Sequence, residues 1–343
     1  MGFLSLSVRL LMNLESLNSV ETIGSLVRHR TAPIAVPVEE GFVLRFVPVV
    51  SGESIAHAYQ EMLVKEAFRL NLPVGVYSSR GEFVKFADDR FMKEEGIKPP
   101  ENEDDILRAE IDVLLKDIVA DIGGFLYAGN YSIKRTSRFQ VGYMIPALKE
   151  VDVAALEAQF HVRMVPSRAT ERGKRGLAPP QAPFNVEVGS AVYTFTFNLD
   201  IDGIAEPSTK FGKLDEEKLE QLKKQKHKRI KAAIISLAKL LSGMEFGAKR
   251  TRFLPNTELL SAVLAYSKNG SFVVSPGNSK DYVELTVKRS NGYLRTLKSL
   301  GYNDVKVELI AVDKEKATKD VEINVVETIE DLLGWIAEKV LKE

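Results

Sequence analysis

The stretch "LLSGMEFGAKRTRFLP", residues 240–255, places three cations, Lys249, Arg250 and Arg252, in a loop bracketed by glycines and closed by a proline. Cations grouped in this way suit an anion. A Walker loop needs GxxxxGK followed by Ser or Thr, after a strand and before a helix. Here the spacing from Gly243 to Gly247 is one residue short, and Arg250 stands where a magnesium-binding hydroxyl would be needed. The loop also follows a predicted helix and precedes a predicted strand, so the order is reversed. A phosphodiester backbone is the better match. Two further clusters carry the same residue types: "VRHR" with Arg28, His29 and Arg30, and "KRTSR" with Lys134, Arg135 and Arg138. Arginine forks and Ser or Thr hydroxyls complement phosphate oxygens, and glycine lets a backbone come close. Taken singly, each cluster reads as a solvated patch. Together, at the ends of predicted strands, they point to one nucleic-acid groove.

Other candidates for chemistry are sparse. His29, His57, His161 and His227 are widely separated, with no metal-ligand spacing and no HExxH, GxSxG or paired Asp motif. Glu15 and Glu21 follow the first predicted strand and could act as acid or base in a metal-dependent ribonuclease, against the simpler reading as solvated carboxylates. His161, in "AQFHVR", is either a core histidine or a stacking and phosphate-contacting one of the kind single-strand binders use. The run "KKQKHKR", residues 223–229, lies on an amphipathic helix and reads as a solvated face. Ser51 and Gly52 could offer backbone amides to a phosphate at a helix start, with Glu53 opposing it.

The elements that must position these residues follow from periodicity. "MGFLSLSVRLLMNLE" is no signal peptide, because Ser5, Ser7 and Arg9 interrupt its apolar run and no basic segment precedes it. Leu4, Leu6, Val8, Leu10 and Met12 alternate as a strand. Residues 13–33 show no sustained period. "FVLRFVPVV" is a short strand, and the helix after it is capped by Ser51, with a core stripe of Ile55, Tyr59, Met62 and Leu63. Residues 85–125 read as a helical insertion outside the core framework, and "YSIKRTSRFQVGYMIPAL" as one strand entered from a basic turn. "AQFHVRMV" and "FNVEVGSAVYTFTFNLD" alternate well enough to pair. Between them, residues 166–183 carry four prolines and two glycines, which rule out a helix or central strand. From Arg168 to Arg175 this tip has four cations and one acid, a net of +3.

A single helix is predicted over 215–243, capped by Asp215, with Ile230, Ile234, Leu237 and Leu241 inward. "ELLSAVLAYS" is a strand, followed by a hairpin-like region and a helix starting at the Thr328–Asp331 capping box. Strand, helix, strands, helix, strand is the split βαβ order of ferredoxin-like domains, the framework also of the RNA-recognition motif. The fold class is α+β.

The 343 residues suit one elaborated domain or two. With 47 basic and 47 acidic side chains the net charge is zero, which excludes a uniformly basic protein but not a basic groove. Cysteine is absent, so disulfides, thiolate metal sites and Cys nucleophiles are excluded. A Cys-free chain rich in Lys and Glu fits a thermophile's cytoplasm. No run approaches ~18 apolar residues, so no membrane span is expected.

The segments "SVRLLMNLESLN", "HRTAP", "PVVSGESIAHAYQ", "GGFLYAG…KRTSRFQVGYMIPAL", "EAQFHVR", "FNVEVGSAVYTF" and "LLSG…FGAKRTRFLP" occur in order. Together, over residues 3 to about 266, they resemble the archaeal type I-A CRISPR-associated Cascade backbone subunit, the DevR-type autoregulator family of the repeat-associated mysterious protein superfamily. The resemblance implies a modified ferredoxin-like (RNA-recognition-motif) core over 1–70, 131–165 and 184–266. It further implies a helical insertion over about 71–130, a β-hairpin thumb over about 163–184 and a C-terminal extension over 267–343, within one elaborated domain. It implies no catalysis and no cofactor or metal. The implied partners are a guide CRISPR RNA, target single-stranded DNA through the guide, copies of the chain in a helical filament and other Cascade subunits, with no membrane. Arg28, His29, Arg30, Ser51, Lys134, Arg135, Arg138, His161, Lys249, Arg250 and Arg252 are then expected on RNA. Arg163, Arg168, Arg172, Lys174 and Arg175 are expected in the thumb, at the guide–target duplex or a neighbour. Related type III subunits cleave RNA with an aspartate in the loop after the first strand; here that loop has only Glu15 and Glu21. A ribonuclease and a duplex-DNA-binding autoregulator remain as alternatives.

Overall fold

The computed structural model describes residues 2–164, 181–247 and 249–341. In chain order, β1 (Gly2–Glu15) is followed by the hairpins β2 (Ser19–Ile23)–β3 (Leu26–His29) and β4 (Thr31–Val38)–β5 (Gly41–Pro48), then α1 (Gly52–Arg69). Next come α2 (Val76–Ser79), α3 (Asp89–Glu94), α4 (Asp105–Lys116) and α5 (Ile118–Gly123). The short strands β6 (Phe125–Tyr127), β7 (Ile133–Arg135), β8 (Phe139–Val141) and β9 (Ile145–Pro146) lead to β10 (Ala155–Met164) and β11 (Gln181–Asp200). The chain continues through α6 (Glu216–Lys224), α7 (Lys226–Gly243), β12 (Asn256–Lys268), α8 (Tyr282–Ser299), β13 (Lys306–Asp313), β14 (Asn324–Val326) and α9 (Ile329–Leu341).

Among the described residues, ten strands form one sheet, with the run β14-β13-β12-β1-β11 at its centre and β10 also on β11. β1 pairs antiparallel with both β11 and β12, and β10 pairs antiparallel with β11 from Ala155↔Ser190 to Met164↔Gln181. The alternation expected in β1 is present, with Leu4, Leu6, Val8, Leu10 and Met12 buried against α1, α7 and α9. Its other face is buried too, which polar residues at Ser5, Ser7 and Arg9 had concealed. Residues 272–283 and α8 cover that face, and Val274 and Gly277 donate backbone N–H bonds to Ser5 and Ser7 at 3.1 Å each. Arg9 is fully enclosed. Its Nε donates to Glu315 at 2.8 Å and its Nη1 to the Gly277 carbonyl at 2.9 Å. The segment after residue 267 is therefore half of the packing around the central strand.

Several sequence expectations need correction. Residues 13–33 contain the β2–β3 hairpin and the start of β4; β2 is exposed on both faces, so no alternation marks it. The 131–148 stretch is three short strands, since β8 and β9 pair separately with β11 and β7 pairs with β6. The helix expected over 215–243 is two, α6 and α7, meeting at Gln225. Ile106, Ala109, Val113, Leu114, Val119 and Ile122 of α4 and α5 lie in the same core cluster as β1 and α1, so this region packs as framework. α8 was missed because its buried positions include Thr286 and Ser290, which blur the apolar stripe. The pairing of β10 with β11 is as expected. So are the Asp215 cap on Lys218 N at 3.1 Å and the Thr328 cap on Asp331 N at 3.1 Å.

Candidate nucleic-acid interface

The Glu15 end of β1 is where the loops gather. Ser51 caps α1, its Oγ accepting from Ser54 N at 3.2 Å, while Ser51 N donates to Asn18 Oδ1 at 2.8 Å. Arg30 Nε donates to the same Asn18 oxygen at 3.1 Å. Gly247, at φ +99°, comes so close to Leu17 that an added Cβ would sit 3.0 Å from its Cα. These approaches leave a cleft of about 520 Å³ lined by Asn18, Arg30, Ser51, His57, Phe246 and Gly247, with Glu53 and Glu61 on its wall. Lys249 is half-buried and Arg252 exposed, two and five residues beyond Gly247. Truncating Ser51 to alanine should cost about 1 kcal/mol, the usual value of such a cap. A urea unfolding midpoint measures it, and Ser51→Thr should restore most of the loss.

On the β10–β11 stem, His161 of β10 lies nearly parallel to Phe184 of β11, centroids 5.3 Å apart and planes 24° apart. Phe253 meets it edge-on at 5.5 Å. His161 Nε2 is buried and has no hydrogen-bond partner. The 249–253 loop is thus seated against the stem of the β10–β11 hairpin.

Other expected contacts are placed elsewhere. His29 is buried: its Nε2 is 2.7 Å from Glu15 Oε1 and its Nδ1 2.8 Å from the Arg30 carbonyl oxygen. Burial alone would push the imidazole down, but the bond and charge of Glu15 more than offset this and raise it. The Glu15 carboxyl, raised by burial alone, is held below its ordinary value by His29, Leu17 N and Tyr193. His29 therefore braces the cleft from behind rather than facing solvent. Arg28 is part-exposed and paired with Glu21 at 3.6 Å and Glu187 at 4.0 Å.

The KRTSR cluster is not at the cleft. Arg135 is fully enclosed by Asp121, Glu110 and three carbonyl oxygens. Arg138 pairs with Asp200 at 3.0 Å and Ser208 at 3.0 Å. Of its three cations, Lys134 is the one that is exposed. Asp200 and Glu187, which mark the two sites on β11, are thirteen residue steps apart, about 40 Å at ~3.3 Å per residue. A guide-length ligand could span that, but one groove does not unite the clusters. Arg250 also turns inward: Nη2 donates to the Gly243 carbonyl at 2.9 Å, and Nε is buried without a partner. In the 223–229 helix run most residues are solvated as expected, but Arg229 is fully buried on Asp121 at 2.7 Å. The side chain of Arg163, and Arg168, Arg172, Lys174 and Arg175 entirely, lie outside the described residues. Asn18 was missed; two donors converging on one amide oxygen is a tertiary fact with no local signature.

Among the described residues, no three His, Asp or Glu side chains gather as a metal site, and no helix is long and apolar enough to cross a membrane. Fold and site define an α+β protein built on one large sheet, with a polar cleft holding Arg30 where its loops converge. The chain belongs to the CRISPR-associated DevR/Csa2 family: the model of the "CRISPR-associated negative auto-regulator DevR/Csa2" matches residues 6–287. It is 45% identical over 334 residues to a CRISPR-associated aCascade subunit Cas7/Csa2 of Saccharolobus solfataricus, covering 97% of this chain and 99% of that one. A second Cas7/Csa2 protein of that organism is 34% identical over 297 residues, covering 86% and 89%. A chain of a CRISPR RNA-guided surveillance complex, solved in a pre-nicking state, shares the fold at a TM-score of 0.50 and 11% identity, over 98% of this chain and 100% of that one.

Proposed function

We propose that this protein is a non-catalytic backbone subunit that grips the phosphates of a guide CRISPR RNA, polymerises along it and leaves base edges free to pair with invading DNA. The observation that carries this reading is the convergence of Arg30, Ser51, Phe246 and Gly247 on one cleft, with Phe253 of the loop that follows meeting the His161–Phe184 ring pair. Cations directed at phosphates position a strand without reading it, and ring planes accept any base. Sequence reading is then delegated to pairing by the RNA. Kinship with an aCascade subunit supports the assignment. In favour of a structural role, Glu15 has no exposure and is committed to His29, Leu17 and Tyr193, while Glu21 is paired to Arg28 in solvent. Both carboxylates offered for cleavage are thus engaged.

The antiparallel order β12-β1-β11-β10, with α1 after β1 and α7 between β11 and β12, supports a ferredoxin-like core of the RNA-recognition type. We assign the thumb to the β10–β11 connection, with its cations toward the duplex or a neighbour. The helical insertion is then 71–130 and the C-terminal extension 267–343.

The RNA grip is tested by fluorescence anisotropy with single-stranded RNA at several salt concentrations. Lys249→Ala with Arg252→Ala should weaken binding and flatten the salt dependence by about 1.4, two phosphates at ~0.7 each. A Lys223, Lys224, Lys228 triple alanine variant should bind as wild type. An unchanged loop variant, or a weakened helix variant, would move the RNA to another face. Tighter binding to a particular duplex DNA than to RNA would favour the autoregulator reading.

A further inference from the structure

The β4–β5 hairpin carries an apolar face that nothing among the described residues covers. Phe42, Leu44 and Phe46 alternate on β5 and are 75%, 69% and 77% exposed. Their cross-strand partners are Pro37, Ala35 and Pro33, all exposed, so the whole outer face is apolar. The inner face is ordinary, with Val36 and Val47 buried against Val151. Such a patch on a monomer marks an interaction surface. Prolines on β4 block edge-to-edge strand addition, so the partner must meet the hairpin face-on. At its turn the hairpin presents two exposed acids, Glu39 and Glu40.

The molecule also holds a socket of matching chemistry. Between the end of α7 and the start of α9 lies a cleft of about 270 Å³, floored by Val8, Leu10, Met244 and Leu259. That is room for one large apolar side chain rather than for a cofactor. Leu254, 66% exposed, stands at its edge, and Arg250, whose buried Nε has no partner, lines it. Lys249 and Arg252 lie one and two residues to either side of Arg250. An apolar ladder ending in two acids is thus matched by an apolar hole whose charged lining residues are Arg250 and Glu330.

Their positions decide how the two can meet. The hairpin packs beside β9 and β10, beyond β11, whereas the socket sits over β1 and β12 on the other side of β11. Knob and hole are different patches, so their contact is head-to-tail, the kind that can add copy after copy in one direction. We propose that the outer face of the β4–β5 hairpin of one copy docks in the Arg250 cleft of the next, with the Glu39–Glu40 turn toward Arg250. This rests on the filament assembly proposed above and names its contact. It also assigns Arg250 to the neighbouring copy, leaving Lys249 and Arg252 to the RNA.

The absence of cysteine permits a direct test in the full chain. Leu44→Cys and Leu254→Cys are combined in one protein, bound to single-stranded RNA long enough for several copies and mildly oxidised. A non-reducing gel should show a ladder beyond the dimer, while each single variant stops at the dimer. In parallel, Phe42→Ser with Phe46→Ser, two exposed sites, should melt as wild type and bind a short single-site RNA equally well. On long RNA it should lose cooperativity. If wild type assembles on long RNA but the double-cysteine protein gives no ladder, or the serine variant stays cooperative, the docking proposal is overturned and the backbone reading stands. If wild type itself binds long RNA only as separate single copies, the backbone reading fails, and the docking proposal with it.

Discussion

Asp121→Ala should lower the unfolding free energy by about 3–5 kcal/mol, the usual consequence of removing one member of a buried ion cluster. Asp121 Oδ1 accepts from Arg135, Oδ2 accepts from Arg229 at 2.7 Å, and the Ala205 N–H donates to both at 3.2 and 3.1 Å. Glu110 adds a second carboxylate, 3.3 Å from Arg135. All four charged side chains are wholly enclosed, so two cations and two anions balance in direct contact. The cluster joins α4, α5, β7, α7 and the 203–209 turn at one point. Removing Asp121 leaves two guanidinium groups short of charge in a low-dielectric interior. The loss should appear as a lower urea midpoint and melting temperature. RNA binding by the folded fraction should keep the wild-type salt slope, because the cluster is about 40 Å along β11 from the cleft. A variant of normal stability with a flattened slope would show that Arg135 reaches RNA after all.

Glu15→Gln is the second large effect, and it depends on pH. The carboxylate accepts from Leu17 N at 2.8 Å and Tyr193 Oη at 2.7 Å and lies 2.7 Å from His29 Nε2. Gly189 makes this approach feasible: a Cβ there would sit 2.5 Å from the Glu15 oxygen. His29 is raised above its ordinary 6.5, so its contribution is complete below that value and fades as pH rises through the raised one. Glu15 is held below its ordinary 4.5, so its contribution is complete above that value and lost as pH falls through the lowered one. Between the two ordinary values the pair is fully engaged. There the variant should be less stable than wild type by about 3–5 kcal/mol. The gap should narrow as pH rises above 6.5 and through the raised His29 value, as His29 gives up its proton. Urea midpoints of both proteins across that range measure it. A gap that is flat or widens would mean that His29 is neutral in the fold. Because His29 ends β3 and Glu15 ends β1, hydrogen exchange over residues 16–30 should rise most in the variant.

Much of this was legible in the sequence. The period-two face of β1, the Ser51-capped α1 with Ile55, Tyr59, Met62 and Leu63 buried, the β10–β11 pair and the caps at Asp215 and Thr328 are all local patterns. A strand or helix with one buried face writes its period into neighbouring residues. The 249–252 loop was expected on phosphate from residue type alone, and of its three cations Arg250 turns inward. What the sequence could not decide was which cations are free. Arg135, Arg229, His29 and Arg250 sit in basic strings indistinguishable from those of Lys134, Lys228, Arg30 and Arg252, yet all four turn inward. Their partners explain why. Asp121 is 108 residues from Arg229 and fourteen from Arg135, and Glu15 is fourteen from His29. A charge is buried or solvated according to what folding brings against it. Only the sheet, with β11 long enough to hold two basic regions at opposite ends, settles which of them share a cleft.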